Sequence, residues 1–184
     1  GAWDNPSPRR VYPRGKQEGT AHLESVRIRE ASRNDHGAIE RLIDLGARDV
    51  RKRVGPHPCP VPIEDLGARG VTALVAEAQQ KIVGSVAYRI RGGRMHFFNL
   101  VVDAKHRNNG IARRLVAELE TIARKADAKH ITLQTIGELG VEELFVRLGF
   151  RVQSSKKEFL FANDRENALT TVFLVKRLAK FPGS

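Results

Sequence analysis

The sequence predicts a single α/β domain with a central mixed, mostly antiparallel sheet flanked by helices. Three observations carry this. Residues 97–102 form an apolar run with the length and residue types of a buried strand. A polar glycine turn follows, and then Ile111, Leu115, Leu119 and Ile122 recur at helical spacing as one apolar stripe. Upstream, three β-type segments are separated by turns of two residues, which join antiparallel neighbours.

Taken in order, residues 1–25 hold Pro6, Pro8, Pro13, Gly15 and Gly19 among several charges, and are expected to form a flexible N-terminal tail without an apolar leader core. The domain then covers 26–184. Val26, Arg27, Ile28, Arg29 and Glu30 alternate as a first strand. Ser32 and Asp35 have the spacing of a capping box, and Ile39, Leu42 and Ile43 share one face of the helix that follows. From 46 to 70 the pattern loosens into an expected substrate-facing loop. Arg48, Arg51, Lys52 and Arg53 precede Gly55-Pro56-His57-Pro58-Cys59-Pro60, whose prolines bar a helix, and Ile63 and Leu66 fit one short helical turn.

Strands are expected at 72–77 and 81–90 around a turn at Gln79-Gln80. Gly92-Gly93, between Arg91 and Arg94, supplies the positive φ angles of a tight hairpin into the strand at 95–102. After the amphipathic helix, 130–135 reads as a strand, and a strand–helix–strand unit of this length makes parallel neighbours. Val141, Leu144, Phe145 and Leu148 give one helical face closed by Gly149. Residues 150–154 and 170–176 read as the last strands, across a polar connection at 163–167.

The junction at 97–122 is where chemistry is expected. The first amides of a helix have no intrahelical partner and sit at the positive end of its dipole, and Gly110 lets a ligand approach the backbone. Lys105, Arg107, Arg113 and Arg114 surround the turn. The turn lacks the Gly-x-x-x-x-Gly-Lys-Ser/Thr of a P-loop and the Gly-x-Gly-x-x-Gly of a dinucleotide fold. Instead Arg107-x-x-Gly110-x-Ala112 resembles the Gln/Arg-x-x-Gly-x-Gly/Ala signature of the general N-acetyltransferase (GNAT) superfamily. Leu144-Phe145-Val146-Arg147-Leu148-Gly149-Phe150 is similar to that family's Phe-Tyr-x-x-x-Gly-Phe segment.

The resemblance covers about 26–178 and implies the GNAT fold. It implies acetyl-CoA as cosubstrate, with the backbone of Leu100, Val101 and Val102 along the pantetheine arm. Residues Arg107 to Ala112 then cradle the pyrophosphate, Asn108, Asn109, Gly110 and Ile111 acting mainly through backbone amides. It implies transfer of an acetyl group to a primary amine on a small molecule or a protein. His96 is the candidate base, since it stands where some branches carry a glutamate; Glu77, Glu138 and Glu142 are weaker candidates. The chain departs from the pattern at Phe145, where many members have a tyrosine that protonates the leaving thiolate, and at Glu138, where many have an asparagine. The missing tyrosine keeps an alternative in view, a non-catalytic acyl-CoA-binding or sensing domain.

Composition narrows the rest. No apolar run reaches the ~18 residues of a membrane span. Cys59 is the only cysteine, which excludes an internal disulfide and suggests a reducing, cytoplasmic setting. No His or Cys spacing suggests a metal. The net charge of +11 is spread along the chain and aromatic residues are few, so CoA phosphates rather than nucleic acid are the expected anionic partner. A homodimer is left open.

Overall fold

The computed structural model describes residues 26–54, 66, 68–158 and 168–179. The expected tail at 1–25, the proline segment at 55–60, Ile63 and the polar connection at 163–167 lie outside the described residues. The rest forms one sheet of β1 (Arg27–Glu30), β2 (Val71–Ala78), β3 (Lys81–Arg91), β4 (Arg94–Val102), β5 (His130–Ile136), β6 (Arg151–Glu158) and β7 (Leu169–Arg177), in the spatial order β1-β2-β3-β4-β5-β7-β6. β4 and β5 are parallel and every other neighbouring pair is antiparallel. The helices are α1 (His36–Val54), α2 (Ile111–Lys125) and α3 (Glu142–Arg147).

Both expected hairpins form. Gln79 and Gln80 have φ of 49° and 62°, and Gly92 and Gly93 have 54° and 71°. Paired positive φ values match the right-handed twist of the strands they join.

Side-chain alternation then sends Leu74, Ala76, Val86, Met95, Phe97 and Ile131 to one face, under Ile111, Leu115, Val116 and Leu119 of α2. Val75 points to the other face, under Ile39 and Ile43 of α1, with Val101 packed beside them. α1 corrects the expectation of a loop from residue 46, because it runs unbroken through Gly46 to Val54. A Cβ on Gly46 would lie 3.2 Å from Val101 Cγ1, so the glycine is what lets the helix lie against β4. Packing of that kind outweighs the ~1 kcal/mol penalty of glycine inside a helix.

α3 is also shorter than the pattern suggested. Over six residues it buries Phe145, with Val141 and Leu148 packed against the core, but Leu144 is 41% exposed. Gly149, at φ 88°, closes it as expected. Its N–H donates to Val146 O, and Phe150 N donates to Phe145 O at 3.0 Å. These two bonds satisfy terminal carbonyls, and the accompanying apolar contact is Phe150 edge-on to Phe145 at 6.0 Å.

Ser32 and Asp35 act as foreseen, at a short 3-10 turn that leads into α1. Asp35 accepts from Ser32 N at 2.7 Å and Ser32 Oγ at 2.8 Å, and takes two hydrogen bonds from Arg29 at 2.7 and 3.0 Å. Arg29 also donates to Glu77 at 2.7 Å, so one guanidinium ties β1, β2 and the start of α1 together.

Candidate active site

The parallel ladder between β4 and β5 is brief. Its register pairs are Arg94–His130, Met95–Ile131 and His96–Thr132. Beyond them β4 runs on to Val102 and β5 to Ile136 without pairing to each other. The backbone of β4 from Phe97 onward therefore faces an opening in the sheet on one side while β3 holds it on the other. Within this stretch two residues, Asn99 and Leu100, stand opposite Val86 alone, which makes a bulge, and Asn99 sits at φ 52°. Asn99 Nδ2 and Ser85 Oγ are buried there with no hydrogen-bond partner among the described residues. An unmet buried polar atom costs roughly 1–3 kcal/mol, a cost that a polar chain laid beside the bulge can relieve.

At the end of the same strand the chain turns into α2. Asp103 shapes the turn by accepting from Lys105 N at 2.8 Å, which holds its carboxyl below the usual range. Asn108 at φ 63° and Gly110 at φ 73° give the loop its reversal. The first helical bond runs from Arg114 N to Gly110 O at 3.0 Å, so the amides of Ile111, Ala112 and Arg113 lie ahead of it at the positive end of α2. A Cβ built on Gly110 meets nothing within 4 Å, so there is open space above the turn. Amide donors, a helix N-terminus and room at the glycine fit a diphosphate.

The cations around the turn divide. Arg107 donates to Val102 O at 3.1 Å and pairs with Asp49 of α1 at 2.8 Å, so its side chain braces the loop. Arg114 reaches Val26 O at 2.6 Å. Lys105 and Arg113 are exposed.

His96 stands where β4 and β5 part. Its Nδ1 lies 3.1 Å from Thr132 Oγ1, and its ring stacks beside Phe98 with centroids 6.1 Å apart. It lines an open hollow of about 430 Å³ with Arg89, Arg91, Arg94, Gln134 and Phe173. Sequence reading singled out none of those five as site residues. Period-two spacing does place Arg89 with Arg91, and Arg94 with His96, but only the register brings the two pairs together.

Two of the weaker base candidates are engaged elsewhere. Glu77 is held by Arg29. Burial would raise Glu138, yet hydrogen bonds from its own backbone and from Thr170 N and Oγ1, at 2.9–3.0 Å, keep it below the usual range. Glu138 thus latches the turn before α3 to β7. Glu142 Oε1 lies 3.4 Å from where a Cβ on Gly137 would stand. Phe145 is 5% exposed and packs with Phe97 and Phe150 at centroid distances of 6.0 Å each. Its ring carries no proton donor. Among the described residues no cluster of His, Cys, Asp or Glu could hold a metal, and no helix is long and apolar enough to cross a membrane.

A mixed sheet opened between two parallel strands, with a helix N-terminus at the end of one of them, is an α/β arrangement shared with known proteins. The chain belongs to the Acetyltransferase (GNAT) family, whose model matches residues 39–150, more than half of its length. It is 32% identical over 120 residues to N-acetyltransferase 8 of Homo sapiens, an alignment covering 61% of this chain and 52% of that protein. The chain thus spans about half the length of this curated relative. Among solved structures, the ribosomal-protein-S18-alanine N-acetyltransferase of Escherichia coli shares the fold with a TM-score of 0.66 at 14% identity, covering 85% of this chain and 97% of that one. A Bacillus anthracis protein solved in complex with acetyl coenzyme A gives a TM-score of 0.66 at 17% identity, covering 84% and 100%.

Proposed function

We propose that this chain is an acetyl-CoA-dependent N-acetyltransferase acting on a primary amine. The observation that carries the reading is the opening between β4 and β5, which begins past His96 and ends on the amides that start α2. One strand then serves both ends of a long thioester. The backbone of Leu100, Val101 and Val102 offers hydrogen bonds to its amide-bearing arm. The amides of Asn108 to Ala112 take its diphosphate, with Lys105 and Arg113 adding positive charge. Acetyl-CoA supplies the activated acetyl group. An amide N–H in the opened part of β4 stabilises the developing oxyanion.

His96 takes the amine proton, directly or through one water. The nitrogen–carbon bond forms, the carbon–sulfur bond breaks, and the thiolate leaves. Phe145 offers the thiolate no proton, so water or the acceptor supplies it. A simple thiol has a pKa of about 8.5, so a thiolate is a tolerable leaving group near neutrality.

Binding and turnover test the two parts separately. Acetyl-CoA should raise the melting temperature by mass action, and Gly110→Asp should abolish the rise by placing a side chain and a negative charge in the diphosphate site. Unchanged CoA affinity in that variant would overturn the cofactor assignment. Release of CoA in an amine screen then separates an enzyme from the second reading, a non-catalytic acyl-CoA sensor, which the buried, donor-free Phe145 favours.

A further inference from the structure

The hollow over His96 carries more positive charge than a base requires. Arg89, Arg91 and Arg94 line it with His96, and none of the described residues around it is Asp or Glu. The three arginines differ. Arg89 stands opposite His96 and is engaged, its guanidinium lying 5.8 Å from the centre of the Phe98 ring. Arg91 and Arg94 stand directly opposite each other across β3 and β4, both exposed, and neither makes a hydrogen bond or ion pair with another described residue. Like charges placed so are unfavourable, and an anion held between two guanidinium groups offsets the repulsion.

Reach decides what brings the anion. Arg94 and His96 are alternate residues of β4, so they share a face at a separation of about 7 Å. In the N-acetyltransferase reading the acceptor amine lies within a hydrogen bond of His96, or one water from it. The thioester then lies near Phe98, whose ring stacks beside His96 with centroids 6.1 Å apart. Along one strand face the thioester, the amine and the arginine pair follow in turn. An amine is mostly protonated near neutrality, and two arginines repel it unless the same molecule also brings an anion. The diphosphate of CoA is not that anion, because its proposed cradle starts beyond Val102, roughly 27 Å along β4 from Arg94. A hollow of about 430 Å³ suits a compact ligand.

We infer that the acceptor is a compact primary amine with its own anionic group, seated with the amine at His96 and the anion on Arg91 and Arg94. This rests on the N-acetyltransferase reading with His96 as the base. The test uses the full chain with acetyl-CoA and amines paired by charge. Glycine, leucine and phenylalanine are each set beside their carboxamides, and O-phosphoethanolamine beside ethanolamine. CoA release gives kcat/KM, and the shift in melting temperature gives binding. Arg91→Gln with Arg94→Gln should lower the anionic-to-neutral ratio of kcat/KM by about tenfold, the scale that two exposed arginine–anion contacts allow. Arg91→Glu with Arg94→Glu should lower it further. Comparing the ratio between wild type and variant cancels the unequal basicity of the paired amines. The pair whose ratio falls more shows whether the anion is a carboxylate or a phosphate.

Retained stabilisation by acetyl-CoA shows that each variant is folded. Turnover with a ratio that is the same in the wild type and both variants overturns the inference and leaves the transferase reading standing. So does a short neutral peptide that outruns every anionic amine and slows in the same variants. Melting shifts from the anionic amines that vanish in the variants, without CoA release from any amine, remove the transferase reading and leave the arginine pair assigned to a small anionic amine. Neither turnover nor a shift from any anionic amine overturns the inference, and a retained acetyl-CoA shift then favours the sensor.

Discussion

Thr132 decides which nitrogen of His96 can act. Its Oγ1 lies 3.3 Å from Met95 O as well as 3.1 Å from His96 Nδ1. A carbonyl only accepts, so the single hydroxyl proton goes to Met95 O, and Nδ1 must be the protonated ring nitrogen. The neutral imidazole then carries its lone pair on Nε2, an assignment made from the hydrogen-bond network. Thr132 is a positioning residue in this scheme. Thr132→Val should lower kcat/KM on the order of tenfold, as for other partners that orient a working imidazole, and should displace the rising limb of the pH profile. Thr132→Ser should restore both, which a merely structural role does not require. His96→Ala should cost roughly 10²–10⁴-fold and remove the limb, with acetyl-CoA affinity kept. An unaltered profile in that variant would eliminate His96 as the base.

Between elements, α2 and the sheet meet where the proposed cofactor cradle begins. Gly84 on β3 makes this approach close, because a Cβ there would lie 3.1 Å from Ile111 Cγ2 and 3.3 Å from Val101 O. Ile111 is the first residue of α2. Gly84→Val should cost about 2 kcal/mol by overpacking and lower the melting temperature by several degrees. It should weaken acetyl-CoA binding further than an equally destabilising change on α3, since it moves the helix N-terminus. Thermal shift with and without acetyl-CoA measures both, and equal ligand stabilisation in the two variants would count against the coupling. Local chemistry made α2 and both hairpins legible in the sequence, since apolar spacing and two-residue turns act over a few positions. The continuation of α1 was not legible, because Gly46 is justified by Val101, a residue on a distant strand. The brace from Arg107 to Asp49 was hidden in the same way, so the arginine of the signature points at α1.

Across the whole molecule, the sheet topology and the glycine turn of the site followed from pattern and resemblance. The gathering of Arg89, Arg91 and Arg94 around His96 did not, because each strand displays its parity while the register that sets one strand beside another is fixed by the turn between them. Arg29 shows how such distant joins hold the fold. It binds Asp35 and Glu77 at once, with Arg29 and Asp35 side chains 28% and 10% exposed. Its hydrogen bonds hold the Asp35 carboxyl well below the usual carboxylate range; burial opposes them, and the amide and hydroxyl of Ser32 assist. The folded state therefore binds fewer protons at Asp35 than the unfolded chain, whose aspartates titrate near pH ~3.9. The resulting stability is fully present above that value, declines as pH falls below it, and is gone once pH passes the depressed native value. Asp49, Asp103 and Glu138 are depressed as well and act in the same direction. Asp35→Asn should lose about 2–3 kcal/mol at pH 7, the scale of hydrogen bonds to a charged group. That deficit should shrink as pH falls below ~3.9, because the unfolded wild type then takes up a proton that Asp35 must release on folding. Urea unfolding of both proteins from pH 7 to pH 3 follows the gap between them. A gap that stays constant over the whole range would show that Asp35 acts through shape and not through its charge.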